Sequence, residues 1–104
     1  MALKVHIKTD PLYIIFEQHL YNFQDSDADR KTFIENIIQD YFSYLRRRKI
    51  TVPISLEGPI MEELAGHVNT MLVKKIYGCL TIQDYQKQLS PSLKAQARSR
   101  YSKL

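Results

Sequence analysis

A run of four cations is the strongest candidate binding feature of this sequence, and it consists of Arg46, Arg47, Arg48 and Lys49. The run follows a segment rich in aromatic side chains. Adjacent cations can bind nucleic-acid phosphates while nearby tyrosines stack on bases, and they can equally bind anionic lipid headgroups or an acidic protein. Cations also favour the C-terminal end of a helix because they offset its dipole. The run alone therefore does not separate a binding site from a helix end.

A second basic region follows Asp84, after which the chain contains no acid. Its cations are Lys87, Lys94, Arg98, Arg100 and Lys103. The acids cluster instead at residues 25–29 and 57–63, which predicts a bipolar charge distribution. A net charge of only +4 weakens the case for nucleic-acid binding. A nucleic-acid site, as the alternative function, would use Arg46, Arg47, Arg48, Lys49, Lys94, Arg98 and Arg100.

The residues that could carry catalysis are scattered. The sequence has no glycine-rich phosphate loop, metal-binding HExxH or nucleophile elbow. Glu63 and His67 are one helical turn apart and predict a surface contact, whereas a metal would need further ligands. His19 falls on an apolar helix face, and Cys79 follows a predicted helix C-terminus that disfavours a thiolate. We expect no enzyme activity, no catalytic residue, no metal site, no cofactor and no small-molecule substrate.

Tyrosine is plentiful, with seven residues, and tyrosine is favoured at protein interfaces. Several tyrosines lie outside the narrow apolar stripe that forms the inner face of each predicted helix. We expect Tyr13, Tyr21 and Tyr44 to contact a protein partner together with residues 46–49. A broad core boundary that includes these rings explains the same pattern.

Helical periodicity and end signals predict the elements that must position these residues. Apolar side chains recur at helical spacing over residues 11–24, 27–48 and 59–77, and shorter helices are predicted over 82–89 and 92–102. The inner face of the second helix is Phe33, Ile34, Ile37, Ile38, Tyr41, Phe42 and Leu45. Gly78 is expected to end the third helix in a left-handed conformation, and Ser90 to cap the last.

Two short segments alternate apolar and polar residues, at 3–8 and 50–55, which is the period of a half-buried strand. They predict a small two-stranded β element, with Pro53 at an edge or strand end because it cannot donate to a ladder. The fold class expected is mainly α, with four to five helices in a compact bundle. Residues 1–104 should form one domain whose basic C-terminal segment, 92–104, frays easily.

The composition agrees with a folded, water-exposed domain. The chain has 104 residues, of which 44% are hydrophobic and 25% charged, so gross disorder is excluded. A single cysteine excludes an internal disulfide framework and cysteine-rich zinc modules. No apolar run is long enough to span a membrane, and no secretory signal is visible. A cytoplasmic location is expected, and a peroxisomal one is the alternative if the source is a eukaryote, since the chain ends in Ser102, Lys103 and Leu104.

Together these observations favour a non-catalytic protein-interaction module, a small adaptor or regulator that self-associates as a homodimer. The expected partner is a protein, and nucleic acid remains the alternative.

Overall fold

The computed structural model describes residues 9–22, 30–79 and 82–104, and these residues form five α-helices. In chain order the helices are α1 (Thr9–Asn22), α2 (Arg30–Arg47), α3 (Ile54–Lys75), α4 (Ile82–Lys87) and α5 (Pro91–Ser102). The mainly α fold class with four to five helices is therefore confirmed.

Helix α1 is the central element of the bundle, since it packs on α2, α4 and α5, while α3 packs on α2. Helix α3 also approaches α1, where the ammonium of Lys75 lies over the Tyr13 ring. Its buried apolar side chains recur three to five residues apart: Leu12, Ile15, Phe16 and Leu20. The inner face predicted for α2 is confirmed, with Phe33, Ile37, Ile38, Tyr41 and Leu45 buried and Ile34 and Phe42 partly buried. One apolar stripe per helix is what a helix needs to bury itself against its neighbours.

The predicted strand at residues 50–55 is wrong. None of the described residues is in a β-strand, and residues 50–53 form an irregular link between α2 and α3. Ile50 and Val52 alternate with polar residues because they pack against the core from this link, not because they belong to a sheet. Pro53 precedes the first turn of α3, which begins at Ile54, five residues earlier than predicted. The partner segment at residues 3–8 lies outside the described residues.

The left-handed conformation predicted for Gly78 and the cap predicted for Ser90 are confirmed, whereas α3 ends before Gly78, at Lys75 with Ile76 as its C-cap. Gly78 has a φ of +87°, the left-handed conformation that glycine adopts without steric cost. It occupies the third position of a turn in which the Cys79 amide donates to the Ile76 carbonyl over 2.8 Å. At the start of α5, the Ser90 hydroxyl oxygen accepts a hydrogen bond from the Leu93 amide. The Ser90 bond begins α5 and the Gly78 turn follows the end of α3, and both depend on bonds between near neighbours in sequence.

Candidate partner-binding site

The basic run lies at the C-terminal end of α2, where the backbone forms a Schellman motif. The Ile50 amide donates to the Leu45 carbonyl over 2.9 Å, and the Lys49 amide donates to the Arg46 carbonyl over 3.0 Å. Lys49 has a φ of +59°, and it is the only non-glycine residue in the described part of the chain with a positive φ. Glycine usually fills this position because a Cβ is strained there.

The four cations of the run are exposed but point in different directions. Arg46 donates to the Ser43 hydroxyl over 3.0 Å, and Arg46 and Lys49 both line a groove beside α3. The guanidinium of Arg48 lies over the Tyr44 ring, 5.6 Å from its centroid. Arg47 faces α5, where its charge acts on Tyr101. Four consecutive residues of a helix end cannot share one face, so the run is divided between the groove and two other environments.

The groove lies between the C-terminal end of α2, the link at 50–53 and the N-terminal half of α3, and its volume is about 710 Å³. We call it the α2–α3 groove. Its apolar lining consists of Ile38, Phe42, Leu45, Ile50, Val52 and Met61. Met61 is 45% exposed, and Ile54, two residues beyond Val52, is 86% exposed. An apolar surface therefore continues from the groove onto the first turn of α3.

The polar groups of the α2–α3 groove stand at its edges. Arg46 and Lys49 are on the α2 side, and Glu57 is on the α3 side. The remaining polar lining is Gln39, Ser43 and Thr51, so the groove contains no histidine or cysteine that could act as a general base or a thiolate nucleophile. Such an arrangement can serve recognition, because apolar side chains supply contact area and two cations favour a negatively charged ligand.

The three tyrosines expected to contact a partner lie in different environments. Tyr21 and Tyr44 are each only 6% exposed, so their rings are core residues of this chain and are not available at its surface. Tyr13 is half-buried, with the ammonium of Lys75 5.3 Å from its ring centroid. Tyr21 and Tyr44 therefore fit the other interpretation of the pattern, in which the tyrosine rings belong to a broad core and its boundary. Tyr77, which is not among the three tyrosines expected to contact a partner, is 88% exposed.

The basic residues of α5 are also divided. Arg100 forms an ion pair with Glu17, a buried residue of α1, and the other Glu17 oxygen accepts a hydrogen bond from the Tyr21 hydroxyl over 3.0 Å. Burial, with a smaller contribution from Tyr85, raises the pKa of Tyr21 to about 12. Arg98 is exposed and Lys94 is half-buried. Arg100 is therefore engaged in an ion pair within the fold. It is not free to bind nucleic-acid phosphates, as the sequence-based alternative required.

A second polar cluster joins α1, α2 and α5. The Tyr101 hydroxyl donates to Asp40 Oδ2 over 3.1 Å, and His19 Nε2 lies 2.6 Å from the same oxygen. Burial and the negative charge of Asp40 raise the pKa of Tyr101, while Arg47 acts in the opposite direction. His19 is thus a partly buried boundary residue with a carboxylate partner, as its position on the apolar face predicted.

The other residues that could carry chemistry lie apart from one another. His67 and Glu63 form the expected contact within α3, 3.8 Å between Nε2 and Oε1, with both side chains about half exposed. Cys79 is half-buried, and its sulfur accepts a hydrogen bond from the Gln88 side chain. Within the described ranges, no three metal-ligating side chains come together.

Comparison with protein-family models, with curated proteins and with solved structures finds no match to this chain. In the part of the chain that the structure describes, no helix combines the length and apolar character needed to cross a membrane.

Sequence reasoning identified Arg46 and Lys49 but missed the apolar half of the α2–α3 groove. Met61 lies outside the inner faces that periodicity predicts, and Ile54 falls within the strand predicted over residues 50–55. One signal was present: in a helix that began at Ile54, these two residues would be two turns apart and would share a face. The helix start was obscured because Pro59 suggested a first helical turn five residues too late.

Proposed function

We propose that this chain is a non-catalytic protein-interaction module whose α2–α3 groove binds an acidic partner segment with apolar anchor residues. The observation that supports this function is the position of two exposed cations, Arg46 and Lys49, beside the six apolar side chains that line the groove. Such a module would act as a small adaptor or regulator. Self-association of the chain belongs to the same proposal.

The shape of the groove favours a helix or an extended segment over a small molecule. Its lining combines apolar side chains such as Phe42, Ile50 and Met61 with exposed charged residues, and the exposed Ile54 follows two residues after Val52. A small-molecule site is usually an enclosed cavity with convergent polar groups, whereas a helix-binding groove is open and apolar along its length. An amphipathic partner segment would bury its apolar face here.

The charges at the groove edges favour an acidic partner. Arg46 and Lys49 face it from α2, and Glu57 is the only carboxylate among the lining residues. A partner with carboxylates along the α2 edge would gain charge-assisted hydrogen bonds from Arg46, whose planar guanidinium suits carboxylates. Carboxylates along the α3 edge would instead meet Glu57. The opposite charges on the α2 side and the α3 side of the groove therefore set the orientation of the bound segment.

The nucleic-acid alternative has one observation in its favour. Arg47 of α2 and Tyr101 of α5 are close enough for the arginine to affect the tyrosine pKa, so the two basic regions of the sequence meet in the fold. The site would be weak, however, because Arg100 pairs with Glu17 and Arg48 lies on Tyr44. We expect duplex or single-stranded DNA to bind no tighter than about 10⁻⁶ M at physiological salt. Tighter binding that is lost when Arg46, Arg47 and Arg48 become Ala would favour this alternative.

A random peptide library displayed on phage tests the proposed function. Selection on the wild-type chain should enrich peptides that combine Asp or Glu with large apolar residues. The double variant Arg46→Glu with Lys49→Glu should weaken their binding at least about tenfold, because like charges then face each other. Lys94→Glu with Arg98→Glu makes the same change in net charge on α5 and should leave affinity unchanged. Enrichment without an acidic pattern, or equal loss in both double variants, would contradict the proposal.

A further inference from the structure

Thr51 is an exposed residue of the irregular link between α2 and α3, and it lines the α2–α3 groove. In the described part of the chain, neither its side chain nor its backbone forms a hydrogen bond with another residue. The residue is therefore accessible from solvent, and an enzyme can draw the backbone away from the bundle at this point without breaking such a bond.

The residues before Thr51 match what an arginine-directed serine/threonine kinase recognises. Such kinases bind exposed, extended segments in an acidic cleft and select an arginine three residues before the acceptor hydroxyl. Arg48 occupies that position, Arg47 and Lys49 flank it, and all three are exposed. No other serine or threonine of the sequence has an arginine three residues before it. The basic run therefore directs such an enzyme to a single hydroxyl.

Arg48 is available to a kinase because its contacts within the fold are weak. Its guanidinium lies over the Tyr44 ring, 5.6 Å from the centroid, and a cation–π contact at an exposed site contributes little. Arg48 is also not among the residues that line the α2–α3 groove. The arginine that would select the kinase is therefore a different side chain from the two cations that would bind an acidic partner.

Ser43, the other hydroxyl residue that lines the groove, lacks each of these features. It lies within α2, and its hydroxyl oxygen accepts a hydrogen bond from Arg46. Asp40 stands three residues before it, where an acidic kinase cleft would repel a carboxylate. Of the two groove hydroxyls, Thr51 is therefore the one that a kinase can reach.

A phosphate on Thr51 would reverse the sign of the charge along the groove. The ionisable lining residues are Arg46, Lys49 and Glu57, which give the lining a formal charge of +1. Phosphothreonine adds about −1.5 to −2 at pH 7, together with three acceptor oxygens. Lys49 is two residues from Thr51, and the phosphate oxygens can accept charge-assisted hydrogen bonds from it and from Arg46. The cations that would attract an acidic partner would then bind the phosphate of the chain itself.

We propose that Thr51 is a phosphorylation site and that its phosphate prevents the α2–α3 groove from binding acidic partners. In the modification, Thr51 Oγ forms a bond to the γ-phosphorus of ATP, the bond from that phosphorus to the β–γ bridging oxygen breaks, and ADP leaves. The hydroxyl proton passes to the catalytic aspartate of the kinase. The site itself is argued from the link and the basic run, whereas the loss of partner binding rests on the proposed function of the groove.

Treatment of the folded chain with ATP and an arginine-directed serine/threonine kinase tests the site. The enzyme should add one phosphate, and tandem mass spectrometry should locate it on Thr51. Arg48→Gln should slow the reaction at least about tenfold, because the kinase selects that arginine, whereas Arg98→Gln is the matched control and should react like wild type. A synthetic peptide of residues 44–57 is the unfolded reference. Failure of the peptide to react, a peptide that reacts when the folded chain does not, or a phosphate on another residue would overturn the site.

A phosphorus NMR titration shows whether the phosphate contacts the groove cations, and it needs no partner. In the phosphorylated chain these cations should lower the second pKa of the phosphate below its usual value of about 6, because they stabilise the dianion. The double variant Arg46→Ala with Lys49→Ala should return this pKa to about 6. The same pKa in both proteins would show that the phosphate faces away from the cations and would overturn its effect on the groove.

An acidic peptide from the phage selection tests the loss of partner binding. The phosphorylated chain should bind it at least about tenfold more weakly than the unmodified chain. Thr51→Glu should weaken binding in the same direction, whereas Thr51→Gln, which has the same shape without the charge, should bind like wild type. Equal affinity before and after phosphorylation would overturn the loss of binding and leave the proposed function in place. An unmodified chain that binds no acidic peptide would contradict the proposed function and the loss of binding together, while mass spectrometry would still decide the site.

Discussion

Arg100 in α5 forms an ion pair with Glu17 in α1, a carboxylate whose side chain is only 8% exposed. Helix α5 packs on α1 but has a single fully buried residue, Ala97, while Tyr101 packs against the core from its C-terminal end. The Arg100–Glu17 pair and the Tyr101–Asp40 hydrogen bond therefore anchor the last helix to α1 and α2. Both interactions join residues more than sixty positions apart in sequence, as the Tyr101–Asp40 separation of 61 illustrates.

Removing Arg100 should destabilise the fold because it leaves a buried carboxylate without its cation. We expect Arg100→Ala to lower the free energy of unfolding by about 2–3 kcal/mol, less than for a fully buried pair because the guanidinium is half exposed. Urea denaturation measures the loss. Lys103→Ala, an exposed cation in the same segment, is the control and should have little effect. In Glu17→Gln the further loss caused by Arg100→Ala should shrink, and an unchanged loss would show that the pair does not stabilise the fold.

Replacing Lys49 by glycine should stabilise the chain. The left-handed conformation at φ +59° strains a residue with a Cβ, and glycine removes that strain while the Schellman hydrogen bonds remain. We expect a gain of about 1 kcal/mol in the free energy of unfolding. Lys49→Ala, which removes the charge but keeps the Cβ, should give no such gain. Equal stabilities of the glycine and alanine variants would contradict this account of the helix end.

Gly66 within α3 and Gly78 just beyond it should respond to alanine with opposite signs. Gly66 lies within the helix in open space, so Gly66→Ala should raise the free energy of unfolding by about 0.5–1 kcal/mol. Gly78 has a φ of +87°, where alanine is strained, so Gly78→Ala should lower it by about 1 kcal/mol or more. Denaturant titrations at low protein concentration measure the folding of the monomer. Changes of the same sign at both positions would be inconsistent with the two backbone conformations.

Stability should fall at alkaline pH because Tyr21 is held protonated in the fold. Its pKa is raised from 10.0 to about 12, so the unfolded chain loses the proton first as pH rises. The stabilisation is complete below pH 10 and is lost progressively between about pH 10 and pH 12. Urea midpoints across this range measure the decline. Tyr21→Phe removes this ionisation and should make the alkaline decline shallower, whereas an identical pH profile would exclude Tyr21 as its source.

Most of the helices could be derived from the sequence because their signals are local. The stripe from Phe33 to Leu45 recurs at helical spacing, and Ser90 and Gly78 act through bonds to residues two to four positions away. The same local rules misjudged residues 50–55. Alternating β-branched and polar residues indicate a segment that is buried on one side. Both a strand and an irregular link that packs on a core have this pattern.

Amino-acid order by itself determined the helical fold class, the inner face of α2, the Ser90 cap and the left-handed conformation of Gly78, because hydrogen bonds and side-chain contacts between near neighbours span at most about four residues. Tertiary packing decided what lies on the surface. It buried Tyr21 and Tyr44, paired Arg100 with Glu17, and placed Arg46 and Lys49 beside Met61 of another helix. These outcomes depend on how helices distant in sequence cross and on which faces they cover, and burial is a property of that assembled arrangement and not of any single segment.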